Sequence, residues 1–398
     1  MMPPVALNPQ RRIVLTFSIV VFVYALSMWA IVVYLPIYLE KIVGLGRTQI
    51  GFLISVYTVT LILLVAPFGH LSDRVSPKRI VQAGFLLFGV HCILLAQART
   101  LLPLVLAQVI GGIGNSLVVI ALPSLYYKHL NSSRKGQKVG MYLFATFFGF
   151  ALGPLVGGFL LSGCGLSYRT VFMTVAGLIV GLLLFSTLLK DAAPFKIKLF
   201  EYKEDIFRKE VFLLICMLVA MGFHFGNERA SFSLYMMNVI GLDDFAVGSV
   251  FAVLGFWIAI LAVAAGTLWD RNKKVLLFIC LGLVISGSSH MWTSFTSSYA
   301  SVLLVRILHT TGDAFIIFSM HAIVASIFPS RRMGGNVGFT AFFRMLGAFL
   351  GAAMSGYLDD HSTYHASFIV AGSCTIFVGL LLAANWKTML NLSRQLSK

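Results

Sequence analysis

Residues 69–79 read GHLSDRVSPKR, and 197 positions further on residues 266–274 read GTLWDRNKK. Each stretch opens with a glycine at the end of an apolar run and carries an Asp-Arg pair followed by more cations. The correspondence extends to either side. Gln108, Gly114 and Asn115 face Arg306, Gly312 and Asp313 at an offset of 198, and Gly149, Gly153 and Gly158 face Gly347, Gly351 and Gly356 at the same offset. Apolar composition alone does not hold glycines and an Asp-Arg pair in one register over such a length, so the chain reads as two copies of one unit.

The chain has 398 residues, of which 59% are hydrophobic and 11% charged, where soluble chains carry about half and about a quarter. It is therefore expected to be an integral membrane protein. Apolar runs long enough to span fall near residues 13–38, 48–69, 79–98, 101–127, 138–162 and 168–189. Six more fall near 211–239, 245–268, 274–295, 299–328, 334–358 and 364–386, giving twelve predicted helices in an all-α polytopic fold. The one sizeable polar stretch, KDAAPFKIKLFEYKEDIFRKE from Lys190 to Glu210, reads as a solvated linker. It divides an N-terminal six-helix bundle (1–190) from a C-terminal one (211–398), with 191–210 between them. Two pseudo-symmetric bundles meeting in a bilayer imply alternating access around a midplane site. The first run is too long for a signal-peptide core and lacks a small-residue cleavage site, so it is expected to remain as a span.

A net charge of +16 would suggest nucleic acid in a soluble protein. Here it follows topology. Counting the helices alternately puts 23 Lys/Arg on one side and only Lys41, Arg47, Arg99 and Arg169 on the other, which predicts both termini and the linker in the cytoplasm of a cell (inner) membrane protein. The lipid bilayer and a small-molecule substrate are the expected partners, with no nucleic acid, and a monomer is expected. The five cysteines show neither CxxC pairing nor metal-type spacing and read as small buried apolar residues.

The loop GHLSDRVSPKR resembles the signature between helices 2 and 3 of the major facilitator superfamily, with Ser76 where that family usually has a second glycine. Gly69 and Gly266 permit close helix approach, Asp73 and Asp270 can meet helix N-terminal amides, and Arg74 and Arg271 can meet acceptors across the interface. GFALGPLVGG (149–158) is similar to the glycine-proline signature of drug/proton antiporters in the superfamily. Gly149, Gly153 and Gly157 make a flat stripe for a neighbouring helix, and Pro154 is expected to kink the span. The resemblance implies the 12-helix major facilitator fold and proton-coupled transport. Two departures from the antiporter pattern stand out. Gln108 occupies the place of the usual arginine in the fourth helix, and Glu40 near the outer end is the first helix's sole carboxylate.

Ionisable groups inside spans cost roughly 2.5–3.5 kcal/mol each and mark pathways or paired networks. Five occur, all in the second half: Glu228 and Arg229 in the seventh helix, Arg306 and Asp313 in the tenth, and Arg344 in the eleventh. His224 lies four before Glu228 and His309 four before Asp313, so each pair shares a helix face with its neighbours. Counting along each span places Glu228, Asp313 and Arg344 near midplane and Arg306 about 10 Å nearer the outside. In the superfamily these helices line or flank the central cavity, so the groups are expected to converge, with Glu228 or Asp313 carrying a coupling proton and an arginine contacting substrate. A fixed network of ion pairs holding the three helices is the structural alternative. His224, His309, Glu228 and Asp313 have the donor atoms for a divalent metal, but the nearby arginines oppose it. Neither a metal nor a cofactor is expected, and the expected coupling ion is H+. His91 and His290, in the outer third and ninth helices, read as local hydrogen-bonding residues. Gln108, Asn115, Trp29 and Tyr34 are candidate cavity residues, and Tyr24, Phe232, Tyr235 and Trp257 could join them around an amphiphile. Gly222 and Gly226 are expected to let the seventh span bend.

Neither a Walker loop nor a Ser-His-Asp arrangement is present, so neither an ATP-driven pump nor an enzyme is expected. The primary expectation is proton-coupled export of a drug-like or amphiphilic compound. One excess arginine in the spans supports the alternative, a symporter or exchanger of an organic anion such as a carboxylate or phosphate ester. A transporter-like sensor is the third reading.

Overall fold

A computed structural model describes residues 9–35, 38–39, 42–45, 47–130, 133–195, 198–242, 244–272 and 275–388. Pro36, Glu40, Lys41, Lys196, Lys273, Lys274, Arg394 and Lys398 lie outside the described residues. The first six long helices are α1 (Pro9–Val32), α2 (Arg47–Arg74), α3 (Pro77–Gln97), α4 (Leu101–Lys128), α5 (Lys135–Gly158) and α6 (Tyr168–Phe185). The second six are α7 (Lys209–Asn227), α8 (Asp244–Asn272), α9 (Val275–Thr293), α10 (Tyr299–Ile327), α11 (Met333–His361) and α12 (Tyr364–Ala384). Among the described residues eleven of these are long and apolar enough to cross a bilayer, and α9 contributes a shorter apolar stretch, Leu277–Thr293. Large apolar side chains such as Leu184, Leu304 and Phe377 stay more than 60% exposed, as lipid-facing positions would.

Local chemistry sets the helix starts. Ser76 caps α3, accepting from Arg79 N at 3.2 Å, with Pro77 at the first helical position where a missing N–H costs nothing. Ser167, Ser298 and Thr363 cap α6, α10 and α12 in the same way. Ser76 thus serves as a cap where the resembling loops carry glycine. Two π turns extend spans at their far ends, Phe159–Gly163 after α5 and Glu228–Phe232 after α7.

The halves are built alike. In each, the first and fifth helices run side by side, α1 with α5 and α7 with α11, and the third packs on the fourth, α3 with α4 and α9 with α10. Across the halves α5 meets α8 and α2 meets α11. Glycine is needed at the side-by-side pairs because backbones touch there. A Cβ on Gly149 would lie 2.6 Å from Phe22 O, and one on Gly153 2.6 Å from Leu26 O. In the second half Gly347 and Gly351 of α11 sit on the carbonyls of Val219 and Phe223, while Gly222 and Gly226 of α7 sit on those of Arg344 and Ala348. These α7 glycines therefore dock α11, and the departure from α-helix comes two residues after Gly226, at Glu228.

Two sequence expectations change. The segment after α6 is only partly solvated: Asp205 is buried and accepts from Arg332 Nε at 2.6 Å, Arg332 Nη2 at 2.7 Å and Asn336 Nδ2 at 2.8 Å. Its cations and acids read as polar loop because their buried partners sit more than a hundred residues away. Of the cysteines Cys92 is buried, whereas Cys164 and Cys374 are exposed.

The glycine contacts yield a direct test. Gly351→Ala places a methyl on the Phe223 carbonyl and should destabilise the protein by about 1–3 kcal/mol, as overpacking does. At Gly356 a Cβ meets nothing within 4 Å, so Gly356→Ala should be neutral or stabilising by up to about 1 kcal/mol. Thermal unfolding of both variants in detergent should order them Gly356→Ala above Gly351→Ala; equal midpoints would refute the contact.

Candidate functional site

Two groups of predicted residues come together, one at the end of the bundles that carries the Asp-Arg loops and one inside the second half.

At the loop end each motif aspartate caps the fifth helix of the opposite half. Asp73, fully buried at the end of α2, accepts from Gly334 N at 2.8 Å and Gly335 N at 2.7 Å, the second and third residues of α11. Asp270 of α8 accepts from Gly136 N at 2.9 Å and Gln137 N at 2.8 Å, the same two positions of α5. A carboxylate there satisfies two amides that have no intrahelical acceptor and meets the positive end of the helix dipole. Gly69 and Gly266 allow it: a Cβ on Gly69 would lie 2.7 Å from Gly334 O, and one on Gly266 would collide with Gly136 O.

Asp73 also takes Lys128 Nζ at 2.8 Å and the Tyr202 hydroxyl at 3.1 Å. Burial, then the adjacent Asp73 carboxylate, pushes the Tyr202 phenol above its usual range, which keeps it a donor. Lys135 Nζ to Ala325 O at 2.5 Å and Tyr127 OH to His321 Nδ1 at 2.5 Å add bonds between the halves. Arg74 and Arg271 are exposed and stand outside these bonds. The loop end is closed.

The second group lies between α7, α9 and α10. Glu228, the first residue of the π turn, is bound by Arg306 Nη2. Arg306 is 3% exposed, lies over the Phe232 ring at 4.3 Å, and brings Nη1 within 3.4 Å of His290 Nδ1. Three imidazoles surround the same carboxylate oxygen. Glu228 Oε1 is 3.5 Å from His309 Nε2 and 3.8 Å from both His224 Nε2 and His290 Nδ1. His224 Nε2 and His309 Nε2 face each other at 2.8 Å. Behind them Asp313 accepts from Ser286 Oγ at 2.6 Å and lies 3.4 Å from His309 Nδ1 and 3.8 Å from His224 Nε2. His309 therefore has one carboxylate on each ring nitrogen.

Of the predicted residues, Glu228, His224, Arg306, His309 and Asp313 meet. Arg229, next to Glu228 in the chain, is exposed, and Arg344 is half-buried on α11, with its backbone against Gly222. His290 belongs to the group and supplies the histidine that its outer helix concealed. A signal existed: 290 − 91 = 199, so His91 and His290 nearly share the repeat offset. His91 bonds Ala107 O at 2.7 Å, so it is local in the first half, whereas its counterpart faces Arg306. Asn227 completes the set, donating Nδ2 to Ser355 Oγ at 2.6 Å and presenting Oδ1 to His290 Nε2 at 2.6 Å.

The remaining candidates lie in the first half. Gln108 and Asn115 are buried, with Asn115 Oδ1 accepting from Tyr24 OH at 2.6 Å. Trp29 packs edge-on to Phe150 at 4.6 Å. Tyr34 lies against Gly157 and donates to the carbonyl of Pro154 at 2.7 Å. Tyr24, Phe232 and Tyr235 are buried within their bundles. Along the stripe, Gly149, Gly153 and Gly157 all serve the contact with the first span and its continuation.

The family model of the Major Facilitator Superfamily matches residues 17–352 and 231–388. The chain is 25% identical over 354 residues to the Quinolone resistance protein NorA of Staphylococcus aureus, covering 87% of this chain and 89% of that one. It is 23% identical over 405 residues to Multidrug resistance protein 2 of Bacillus subtilis, covering 97% and 98%. The structure of the human organic anion transporter MFSD10 (TETRAN) superposes with a TM-score of 0.78 at 16% identity, covering 94% of this chain and all of that one.

Removing Arg306 leaves Glu228 and Asp313 close together without the guanidinium that binds Glu228. Arg306→Gln should destabilise the protein by about 3–5 kcal/mol, as breaking a buried pair does. Adding Glu228→Gln should recover most of that loss. Unfolding midpoints of the single and double variants check this, and a double variant no more stable than Arg306→Gln would contradict it.

Proposed function

The chain belongs to the major facilitator superfamily, and from that premise we propose that it exports a drug-like or amphiphilic compound in exchange for a proton carried by Glu228 and Asp313. The observation that supports this most is the buried group around His309. With both acids ionised and the histidines neutral, Glu228, Asp313 and Arg306 sum to −1, so one proton neutralises the group inside the bilayer. Two carboxylates this close to a shared imidazole cannot both stay ionised without cost, which favours one proton exchanged per cycle. The relatives named for quinolone and multidrug resistance favour export and an amphiphilic substrate.

The cation bias favours a cytoplasmic position for the Asp73 and Asp270 end, and in that reading the closed loop end is a state shut toward the cytoplasm. Glu228, with 16% of its side chain exposed, is the more accessible acid, and Asp313, at 5%, is the deeper one. In this reading a proton enters at Glu228, His309 lies between it and Asp313, and neutralising the group weakens the hold on Arg306. Export then requires the loop end to open by releasing the amide bonds of Asp73 and Asp270.

A second reading, exchange of an organic anion, is favoured by one specific observation: Arg229, next to Glu228, is exposed. A guanidinium in that position suits a carboxylate or phosphate.

Proteoliposomes loaded with a fluoroquinolone or ethidium separate these readings. Wild-type protein should accumulate the compound against an imposed pH gradient. Glu228→Gln and Asp313→Asn should abolish that accumulation while keeping compound-for-compound counterflow. Full proton-driven transport by both variants would remove the acids as carriers. Counterflow confined to organic anions and lost in Arg229→Gln would establish the second reading instead.

A further inference from the structure

We propose that His224, Glu228, His290 and His309 form a binding site for one divalent transition-metal ion of the zinc type, in direct competition with the guanidinium of Arg306. The inference goes beyond the transport reading and rests on the cluster alone.

The donor set is three imidazoles and one carboxylate from three helices, and their ligand atoms all lie within 4.8 Å of one another. Zinc bound at about 2.0–2.1 Å in a tetrahedron needs donors roughly 3.3–3.4 Å apart. The separations here are 2.8 Å between the two Nε2 atoms and 3.5, 3.8 and 3.8 Å from Glu228 Oε1 to His309 Nε2, His224 Nε2 and His290 Nδ1, so small side-chain movements reach that geometry. The histidines are fully buried, and the carboxylate is mostly so.

The surroundings of His290 resemble those of a metal-ligating histidine, which passes its second ring N–H to a fixed acceptor so that the other nitrogen keeps its lone pair. His290 Nε2 faces Asn227 Oδ1 at 2.6 Å, whose orientation is set by Nδ2 donating to Ser355. That leaves His290 Nδ1 turned to Glu228. On His309, Nδ1 lies 3.4 Å from Asp313 Oδ2 without a hydrogen bond to it, and Nε2 is turned inward. Both turn a ring nitrogen to one centre, where His290 Nδ1 now meets Arg306 Nη1 and His309 Nε2 meets His224 Nε2. Two facing Nε2 atoms at 2.8 Å need either a shared proton or a cation between them. The buried Nδ1 atoms of His224 and His309 and Nε of Arg306 have no hydrogen-bond partner, so the polar group is incompletely satisfied by the protein itself.

The objection raised from sequence was repulsion by arginines. Of the three, Arg306 is the one bonded to the cluster, and it occupies the very carboxylate a metal would use. Metal and guanidinium therefore compete for Glu228, and weakening one strengthens the other.

The test uses full-length protein purified without a polyhistidine tag, stripped with chelator and titrated with Zn2+ and with Co2+ as a spectroscopic probe. Wild-type protein should retain one Zn2+ per chain after desalting and give the visible absorption of tetrahedral Co2+, displaced by Zn2+. His290→Gln and His309→Gln should each weaken binding at least about tenfold, and Asn227→Ala, which touches only the acceptor behind His290, by about 10–100-fold. Arg306→Gln should tighten it at least about tenfold, because a buried cation near the ion is removed. A purely structural role for Arg306 would give no such gain. Wild-type protein that holds no more zinc than the His290→Gln/His309→Gln double variant overturns the proposal, and so does an Arg306→Gln variant whose affinity is unchanged or weaker.

Discussion

A charged carboxylate in the bilayer interior must find a cation or a proton, and the ion pair between Glu228 and Arg306 is where this chain meets that requirement. Its consequences spread outward. Arg306 needs a buried, partly aromatic bed, which Phe232 supplies, and Glu228 has to leave the regular helix, which the π turn of residues 228–232 permits. The imidazoles of His224, His290 and His309 fill the rest of the shell around Glu228 Oε1. A fixed apolar contact would hold the three helices as well, but it could not respond to protons or cations.

The repeat shows that this chemistry was placed in one half only. Gln108 and Asn115 stand where the second half has Arg306 and Asp313, and both are uncharged. The first half has its own buried polar contact, Tyr24 to Asn115, and its outer histidine bonds a backbone carbonyl. Side chains in the first half thus pack α1, α4 and α5 into a scaffold, while their counterparts in the second half carry charge. By contrast the capping aspartates are symmetric, because both interfaces between the halves need the same closure.

Much of this was legible in the residues. Apolar runs located the helices, the Asp-Arg pairs located the loop end, and spacing of four put His224 with Glu228 and His309 with Asp313. Three-dimensional partners without a periodic signature were not legible. His290 approaches from a helix whose own pattern is only apolar, and Asn227 and Ser286 are ordinary polar residues until their neighbours are known. Arg344 and Arg229 carried the same sequence signal as Arg306, and helix rotation separates them. Asp205 looked like a linker charge because its partner, Arg332, is 127 positions away.

The position of α11 joins the two sites. Its first turn is held by Asp73, and about halfway along, its glycines and Ala348 lie directly on the backbone of α7, within three turns of Glu228. Contacts between carbonyls and glycine Cα atoms leave no side chain to yield, so α7 and α11 cannot slide past one another without losing them. A change in the charge of the Glu228 group that shifts α7 must therefore either break that seam or carry α11 with it. Moving α11 pulls Gly334 N and Gly335 N from Asp73, and charge-assisted bonds of this kind are worth about 1.5–3 kcal/mol each. The closed loop end and the protonatable cluster are thus two ends of one packed element, which is the arrangement alternating access requires.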